Sequence, residues 1–173
     1  ALPISATDPE SSTMLYSYDA KGRKIGSTNA LGTTQYQYDA VGNLVKVIDP
    51  TSKITDYTYT PTNKKQSQID GLSNTISFSY DLNDNLISVL DPLGRATAYG
   101  YDAKSRVISV TDAASNTTTI SYDFNDNKIA VTDPLGHTQT YNYDAANRLV
   151  SYEDAAGNSY TYSYDSVGNN LIL

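Results

Sequence analysis

Apolar and polar residues alternate with a period of two over short runs, and clusters of Asp, Pro, Gly, Ser and Asn separate the runs. That pattern predicts half-buried β-strands joined by tight turns. The stretch 91–111 shows the unit most fully. In Asp91-Pro92-Leu93-Gly94 the Asp carboxylate can accept from the backbone N–H two residues on, the Pro presets φ, and the Gly is free to take positive φ. The expectation is a type I turn closing into a bulge. Along the strand that follows, Thr97, Tyr99 and Tyr101 share one face, with Ala96, Ala98 and Gly100 on the other. Asp102-Ala103-Lys104-Ser105 repeats the turn with Ser105 in the Gly slot, and Arg106 opens a strand that places Ile108 and Val110 on one face.

The rest of the chain is this unit with substitutions. Tyr-Asp pairs fall at Tyr18-Asp19, Tyr38-Asp39, Tyr80-Asp81, Tyr101-Asp102, Tyr122-Asp123, Tyr143-Asp144 and Tyr164-Asp165, with Tyr59-Thr60 in the one gap. The period is 21 residues, with one residue deleted between Asn29 and Tyr38. A second turn alternates with the first, headed by Asp8, Asn29, Asp49, Asp70, Asp91, Asp112, Asp133 and Asp154. The aromatic rows are Tyr16 and Tyr18, Tyr36 and Tyr38, Tyr57 and Tyr59, Phe78 and Tyr80, Tyr99 and Tyr101, Ile120 and Tyr122, Tyr141 and Tyr143, Tyr162 and Tyr164. They form the expected structural core. A hairpin alone buries too little to fold, so the repeats are expected to stack on one another. The fold expectation is all-β: a repetitive antiparallel β-hairpin array of about eight 21-residue repeats, one array over 1–173 that starts and ends mid-repeat. Open sheets beyond roughly ten strands curl, so the array is expected to wind into a spiral sheet, a solenoid-like fibre or a shell wall.

Two irregularities stand out. The third repeat has Thr60-Pro61-Thr62-Asn63 where an Asp turn belongs, and Gln66 and Gln68 where an aliphatic pair belongs, so its core face is thin. Ser52, Ser73, Ser105 and Ser115 fill Gly slots. Serine tolerates left-handed φ less well than Gly, Asn or Asp, and the expectation there is a bulge shifted by one residue.

Alternating Asp-Pro-Leu-Gly and Tyr-x-Tyr-Asp-Ala-x-Gly-Asn-Leu blocks resemble the YD repeats of Rhs and YD-repeat proteins, over the whole chain. The family includes bacterial polymorphic toxins, shell-forming subunits of insecticidal toxin complexes, wall-associated proteins and teneurins. The resemblance implies a β-sheet wound into a spiral wall or hollow shell, at the cell surface or outside the cell. The chain departs from the family in lacking the aromatic- and Gly-rich Rhs-core block with its autoproteolytic aspartyl site, and it carries no toxin tail. The family's catalytic functions therefore carry over to no residue here, and no enzyme activity or cofactor is expected. Three readings follow: wall of a fibre or shell, cell-adhesion or glycan-binding surface, and encapsulating carrier segment of a larger toxin.

Charge and candidate chemistry change this picture little. The net charge is −7, but of the 19 acidic residues 14 are the Asp that heads a turn. An acidic chain with singly scattered Lys and Arg excludes nucleic acid and heparin-like anions as partners. There is no Cys, so no disulfide and no Cys-ligated metal. No signal peptide and no apolar run of membrane-spanning length is present, which leaves a mature, excised or otherwise exported chain without membrane insertion. Asp81, Asn83 and Asn85, and Asp123, Asn125 and Asn127, match the opening of a calcium loop, but Leu86 and Lys128 replace its Gly, and Pro92 and Pro134 its closing Glu. Both stretches lie in the register of the Asp turn, and the structural reading is preferred. The Asp residues expected to hold turns are Asp19, Asp39, Asp49, Asp81, Asp91, Asp102, Asp123, Asp133, Asp144 and Asp165. His137, the only His, stands at a strand start with no catalytic motif around any Ser. Tyr152 and Tyr160 are the Tyr most easily spared from the core for stacking on sugars. Ile4, Ala6, Leu171 and Leu173 lie on strands with no capping repeat, and they are expected to form an assembly edge, paired with further YD repeats of a longer chain or head to tail with another copy.

Overall fold

The computed structural model describes residues 4–7 and 13–171, with side chains from Thr13 onward. It comprises two compact units, Ala1–Arg95 and Ala96–Leu173. The described residues form β-strands and turns with no helix, and the sheet is antiparallel throughout.

In the first unit nine strands run in chain order: β1 (Ile4–Thr7), β2 (Thr13–Tyr18), β3 (Lys24–Asn29), β4 (Gly32–Tyr38), β5 (Leu44–Ile48), β6 (Ile54–Tyr59), β7 (Lys65–Ile69), β8 (Thr75–Tyr80) and β9 (Leu86–Leu90). The second unit continues in the same way with β10 (Ala96–Tyr101), β11 (Val107–Thr111), β12 (Thr117–Tyr122), β13 (Lys128–Thr132), β14 (Thr138–Tyr143), β15 (Leu149–Glu153) and β16 (Ser159–Thr161). β17 (Ser163–Tyr164) and β18 (Asn170–Leu171) form a separate two-stranded pair. Within each unit a strand's extensive contacts are with the strands before and after it. This is the connectivity a run of short hairpins dictates, because sequence neighbours pair first and nothing returns over the sheet.

The turns follow from their residues. At Asp91 the backbone N–H donates to the Arg95 carbonyl (3.0 Å), and the Gly94 N–H donates back to the Asp91 carbonyl (3.0 Å). Gly94 takes φ 77°. Serine does the same work: Ser52, Ser73, Ser105 and Ser115 adopt φ 65°, 68°, 60° and 67°. At Ser105 both backbone bonds persist, Ser105 to the Asp102 carbonyl and Asp102 to the Arg106 carbonyl, each 3.0 Å. The shifted bulge expected of the Ser turns therefore does not occur. A left-handed non-Gly residue costs about 1–2 kcal/mol, whereas a slipped turn would strip the Asp carboxylate of both backbone N–H partners. At the deleted residue, Asn29 pairs directly with Gly32, and Ala30-Leu31 alone close the hairpin.

The strands depart from strict alternation at one recurring point. The register shifts immediately before the Tyr of each Tyr-Asp pair, between Ser17/Tyr18, Gln37/Tyr38, Thr58/Tyr59, Ser79/Tyr80, Gly100/Tyr101, Ser121/Tyr122 and Asn142/Tyr143. Thus Val110 faces Tyr99 and Val107 faces Tyr101, while Ile108 is the extra residue between them. Ile25, Ile87, Ile108 and Ile129 hold that extra position and are 36–39 % exposed. No hydrophobic side chain among the described residues is buried. The apolar face is covered side to side, by its own neighbours in the sheet.

Candidate functional site

The repeated chemistry of this chain lies in its turns and in the contacts between consecutive repeats. In the described Asp turns the carboxylate accepts backbone N–H groups of the turn and, in addition, a side-chain donor. In the Asp81 turn, Oδ1 accepts the N–H groups of Asn83 (2.8 Å) and Asn85 (2.9 Å), and Oδ2 accepts the Asn85 side-chain amide (2.9 Å). Asp123 accepts from Asn125, Asn127 and the Asn127 side chain, each at 2.9 Å. In these two calcium-like stretches the carboxylate oxygens are thus directed at N–H donors. Arginine takes the Asn role at Asp19, Asp91, Asp102 and Asp144, with Nε at 2.6–2.7 Å from the second carboxylate oxygen. His137 fills it at Asp133 through Nδ1 (2.9 Å). Thr51 serves Asp49, the Asn43 amide Asp39 and the Asn169 amide Asp165. These bonds favour the ionised carboxylate. The Asn85 amide and backbone hold the Asp81 carboxyl below its usual range, and the Arg95 and Arg106 guanidiniums do the same for Asp91 and Asp102. Among the described residues no group of three or more His, Cys, Asp or Glu could hold a metal ion.

The Tyr rows separate into two positions with different work. Tyr16, Tyr36, Tyr57, Phe78, Tyr99, Ile120 and Tyr141 stand opposite Ser27, Val47, Gln68, Val89, Val110, Val131 and Tyr152 and pack across the strand pair. The second position belongs to the Tyr-Asp pair, and in five repeats its hydroxyl reaches back into the preceding repeat. Tyr38 donates to the Lys24 carbonyl (2.8 Å), Tyr59 to Leu44 (2.8 Å), Tyr80 to Lys65 (2.9 Å), Tyr143 to Lys128 (3.1 Å) and Tyr164 to Leu149 (2.8 Å). Each of those carbonyls lies just outside the ladder to the next strand, which begins two residues later at Gly26, Lys46, Ser67, Ala130 or Ser151. The phenol supplies the hydrogen bond that the ladder leaves out. Tyr162 lies between β16 and β17, and its N–H donates to the Val150 carbonyl (3.0 Å).

This hook between repeats is absent from the sequence reading, although a signal for it exists. The Tyr-Asp position holds Tyr in all eight repeats, while the other aromatic position also accepts Phe78 and Ile120. A position that keeps Tyr where its neighbour accepts Phe and Ile points to a use for the hydroxyl, met in five of the repeats.

Cations tie the same edge. Arg23, Arg106 and Arg148 lie 4.8, 4.5 and 4.6 Å from the ring centroids of Tyr38, Tyr122 and Tyr164 in the next repeat. Arg106 also donates to the Asp123 carbonyl (3.2 Å) and, with Lys104, pairs with Asp126 at 2.6 and 2.7 Å. On the aromatic face the Lys24, Lys65 and Lys128 ammoniums sit 4.5, 4.9 and 4.7 Å from Tyr36, Tyr57 and Tyr141. Turns are joined through uncharged donors as well, Asn43 to Asn63 (2.9 Å), Thr62 to Asp84 (2.7 Å) and Asn127 to Asn147 (2.9 Å).

Of the edge residues, Ile4 and Ala6 lie on β1 opposite Tyr16 and Met14. Leu171 pairs with Ser163 and is 49 % exposed. Leu173 and Asp8 fall outside the described residues. A groove of ≈ 660 Å³ lies between the Asp49 and Asp70 turns over Val47, Ile54 and Leu72. It is open to solvent.

Comparison with known proteins places this geometry in context. A family model described as RHS Repeat matches residues 18–54, 80–117, 101–138, 122–154 and 143–169, well over half of the chain. No curated protein matches the sequence. Among solved structures, "Crystal Structure of TcdB2-TccC3-Cdc42" superposes with a TM-score of 0.71 at 20 % identity, covering 90 % of this chain and 10 % of that one. "Crystal Structure of TcdB2-TccC3 without hypervariable C-terminal region" gives 0.72 at 19 %, covering 91 % and 10 %. A Tc holotoxin pore of Photorhabdus luminescens gives 0.68 at 21 %, covering 87 % and 9 %. The fold is shared at low identity, and the present chain spans about a tenth of the length of each of these neighbours.

Proposed function

The chain belongs to the RHS repeat family, and from that premise we propose that it is a non-catalytic length of wall in a larger extracellular or cell-surface β-structure. The observation that carries this reading is the hook from five of the Tyr-Asp phenols, Tyr38, Tyr59, Tyr80, Tyr143 and Tyr164, to a carbonyl of the preceding repeat, in a sheet where no described hydrophobic side chain is buried. Stability built this way is passed from neighbour to neighbour, so it scales with the number of repeats, and no central core limits it. A wall is the use that such a construction suits.

The carrier reading, a segment of a shell enclosing a toxin, is favoured over adhesion by the structural neighbours, a TcdB2-TccC3-Cdc42 complex and a Tc holotoxin pore. On either reading the partners are further repeats of a longer chain or another copy of this one. Small-angle scattering and electron micrographs of the purified chain test the proposal. An extended ribbon, a filament or a closed particle is expected. A compact globular monomer would overturn it, and saturable binding on a glycan array would move the assignment to the adhesive alternative.

A further inference from the structure

One place on the aromatic face brings three rings together. Tyr152 stands directly opposite Tyr141 on one side and Tyr160 on the other, so three phenols line up across β14, β15 and β16. Ring centroids are 5.1 Å apart for Tyr141–Tyr152, at 32°, and 5.7 Å for Tyr152–Tyr160, at 21°. In the two preceding repeats the same paired positions hold Val110 with Thr118 and Val131 with Gln139. The last two places in the row have therefore changed to Tyr together.

We propose that Tyr152 and Tyr160 form an oxidative cross-linking site, at which a one-electron oxidant of the peroxidase class converts the pair to dityrosine across the β15–β16 hairpin. The oxidant removes one electron from each phenol, and each phenol gives its hydroxyl proton to water. The two phenoxyl radicals join through a bond between ring carbons ortho to the oxygens. Each of those carbons then passes its hydrogen to the phenolic oxygen and the rings regain aromaticity. The net change is the loss of two hydrogens from the chain and the gain of two electrons by the oxidant.

Three features choose this pair. Tyr160 is 48 % exposed, which gives the oxidant access. The near-parallel stack keeps two radicals within reach of each other, so coupling within the chain competes with coupling between chains. The Lys128 ammonium, 4.7 Å from the Tyr141 ring, disfavours removing an electron from that ring and leaves the oxidation on the outer two. Partial burial and the neighbouring Tyr141 push the Tyr152 phenol up from its ordinary value, so at neutral pH it is oxidised with loss of a proton.

The test is oxidation of the purified 173-residue chain, dilute, with horseradish peroxidase and hydrogen peroxide. The monomer fraction is read by blue dityrosine fluorescence and by peptide mass after cleavage at Glu153, which separates the two tyrosines. The expected result is a monomer lighter by two hydrogens whose Tyr152 and Tyr160 peptides remain joined. Tyr160→Phe, which keeps the ring, should reduce monomer fluorescence to background with an unchanged circular dichroism spectrum, while Tyr36→Phe should leave the yield intact. In urea the site preference should disappear. Cross-links confined to dimers, links spread over other tyrosines, or undiminished fluorescence in a folded Tyr160→Phe chain would each overturn the proposal.

Discussion

Two adjacent turns on the same edge, Thr60–Lys64 and Asp81–Asn85, have almost the same backbone and different chemistry. In both, the first residue's N–H donates to the carbonyl four residues on, at 2.8 and 3.0 Å, and the fourth residue's N–H donates back, at 3.0 and 3.1 Å. Asn63 and Asp84 both take φ 62°. What differs is the head of the turn. Asp81 gathers two backbone N–H groups and a side-chain amide, whereas Thr60 Oγ1 accepts one N–H, from Lys64 at 3.1 Å, and shares a hydrogen with the Thr62 hydroxyl. The comparison separates two roles that the repeat normally merges. The shape of the turn comes from the strands it joins and from a residue willing to take positive φ, and the carboxylate tightens a loop already formed. The Thr60 turn is compensated from outside, by Asn43 to Asn63 on one side and Thr62 to Asp84 on the other.

Tyr80 provides the harshest test, because it hooks the stronger repeat onto the weaker one at the Lys65 carbonyl. Tyr80→Ala should cost about 2–3 kcal/mol, below the range for a fully enclosed aromatic because the ring is half-covered. Tyr80→Phe should cost about 0.5–1.5 kcal/mol, the value of one hydrogen bond. Urea unfolding measures both, and equal losses for the two variants would show that the hydroxyl alone holds the repeats together.

The heads of the two turns come next. Asp81→Ala should lower the melting temperature by about 2–4 °C for a chain of this size, and Thr60→Ala by less. Thr60→Asp should raise it, since it restores the N–H pair that the other turns have. If Thr60→Asp is neutral, the bonds from Asn43 and Asp84 already do what the carboxylate would.

Acid titrates the same difference. The turn carboxyls, Asp81 and Asp91 among them, are held below the ordinary value by their side-chain and backbone donors, Asn85 and Arg95 first. Their contribution to stability is complete above the unfolded value of about 3.9 and is lost as pH falls through the lower folded values. The melting temperature should be flat from neutral pH down to about 5 and drop below about 4. In an Asp81→Thr variant, whose turn is then headed like that of Thr60, the drop should be shallower. A midpoint near neutral pH would contradict the assignment to carboxylates.

The smallest expected effect concerns calcium. The Asp81 and Asp123 carboxylates already face N–H donors, so millimolar calcium or a chelator should leave the melting temperature unchanged. A calcium-dependent rise abolished by Asp81→Ala with Asp123→Ala would show that the turns open to take the ion.

Much of this structure is legible residue by residue. The Asp-x-x-Gly turns, the alternation around them and the 21-residue period are local, and local chemistry is enough to read strands, hairpins and strand order from them. The Ser turns show the limit of propensity: four serines take the left-handed conformation because the Asp ahead of each supplies bonds that a slipped turn would forfeit. The seven register shifts were not legible, since a two-residue period says nothing about where one strand gains a residue on its partner.

What the sequence determined by itself was everything settled within about five residues: where the chain turns, which residue accepts positive φ, which face carries the rings. Partners from different repeats were decided by the tertiary structure alone. Tyr59 meets the Leu44 carbonyl, Arg106 covers Tyr122, and Tyr152 joins Tyr141 to Tyr160 because the bulged register brings those groups to the same height. Pairing of that kind depends on the accumulated offset between strands, a property no single strand contains.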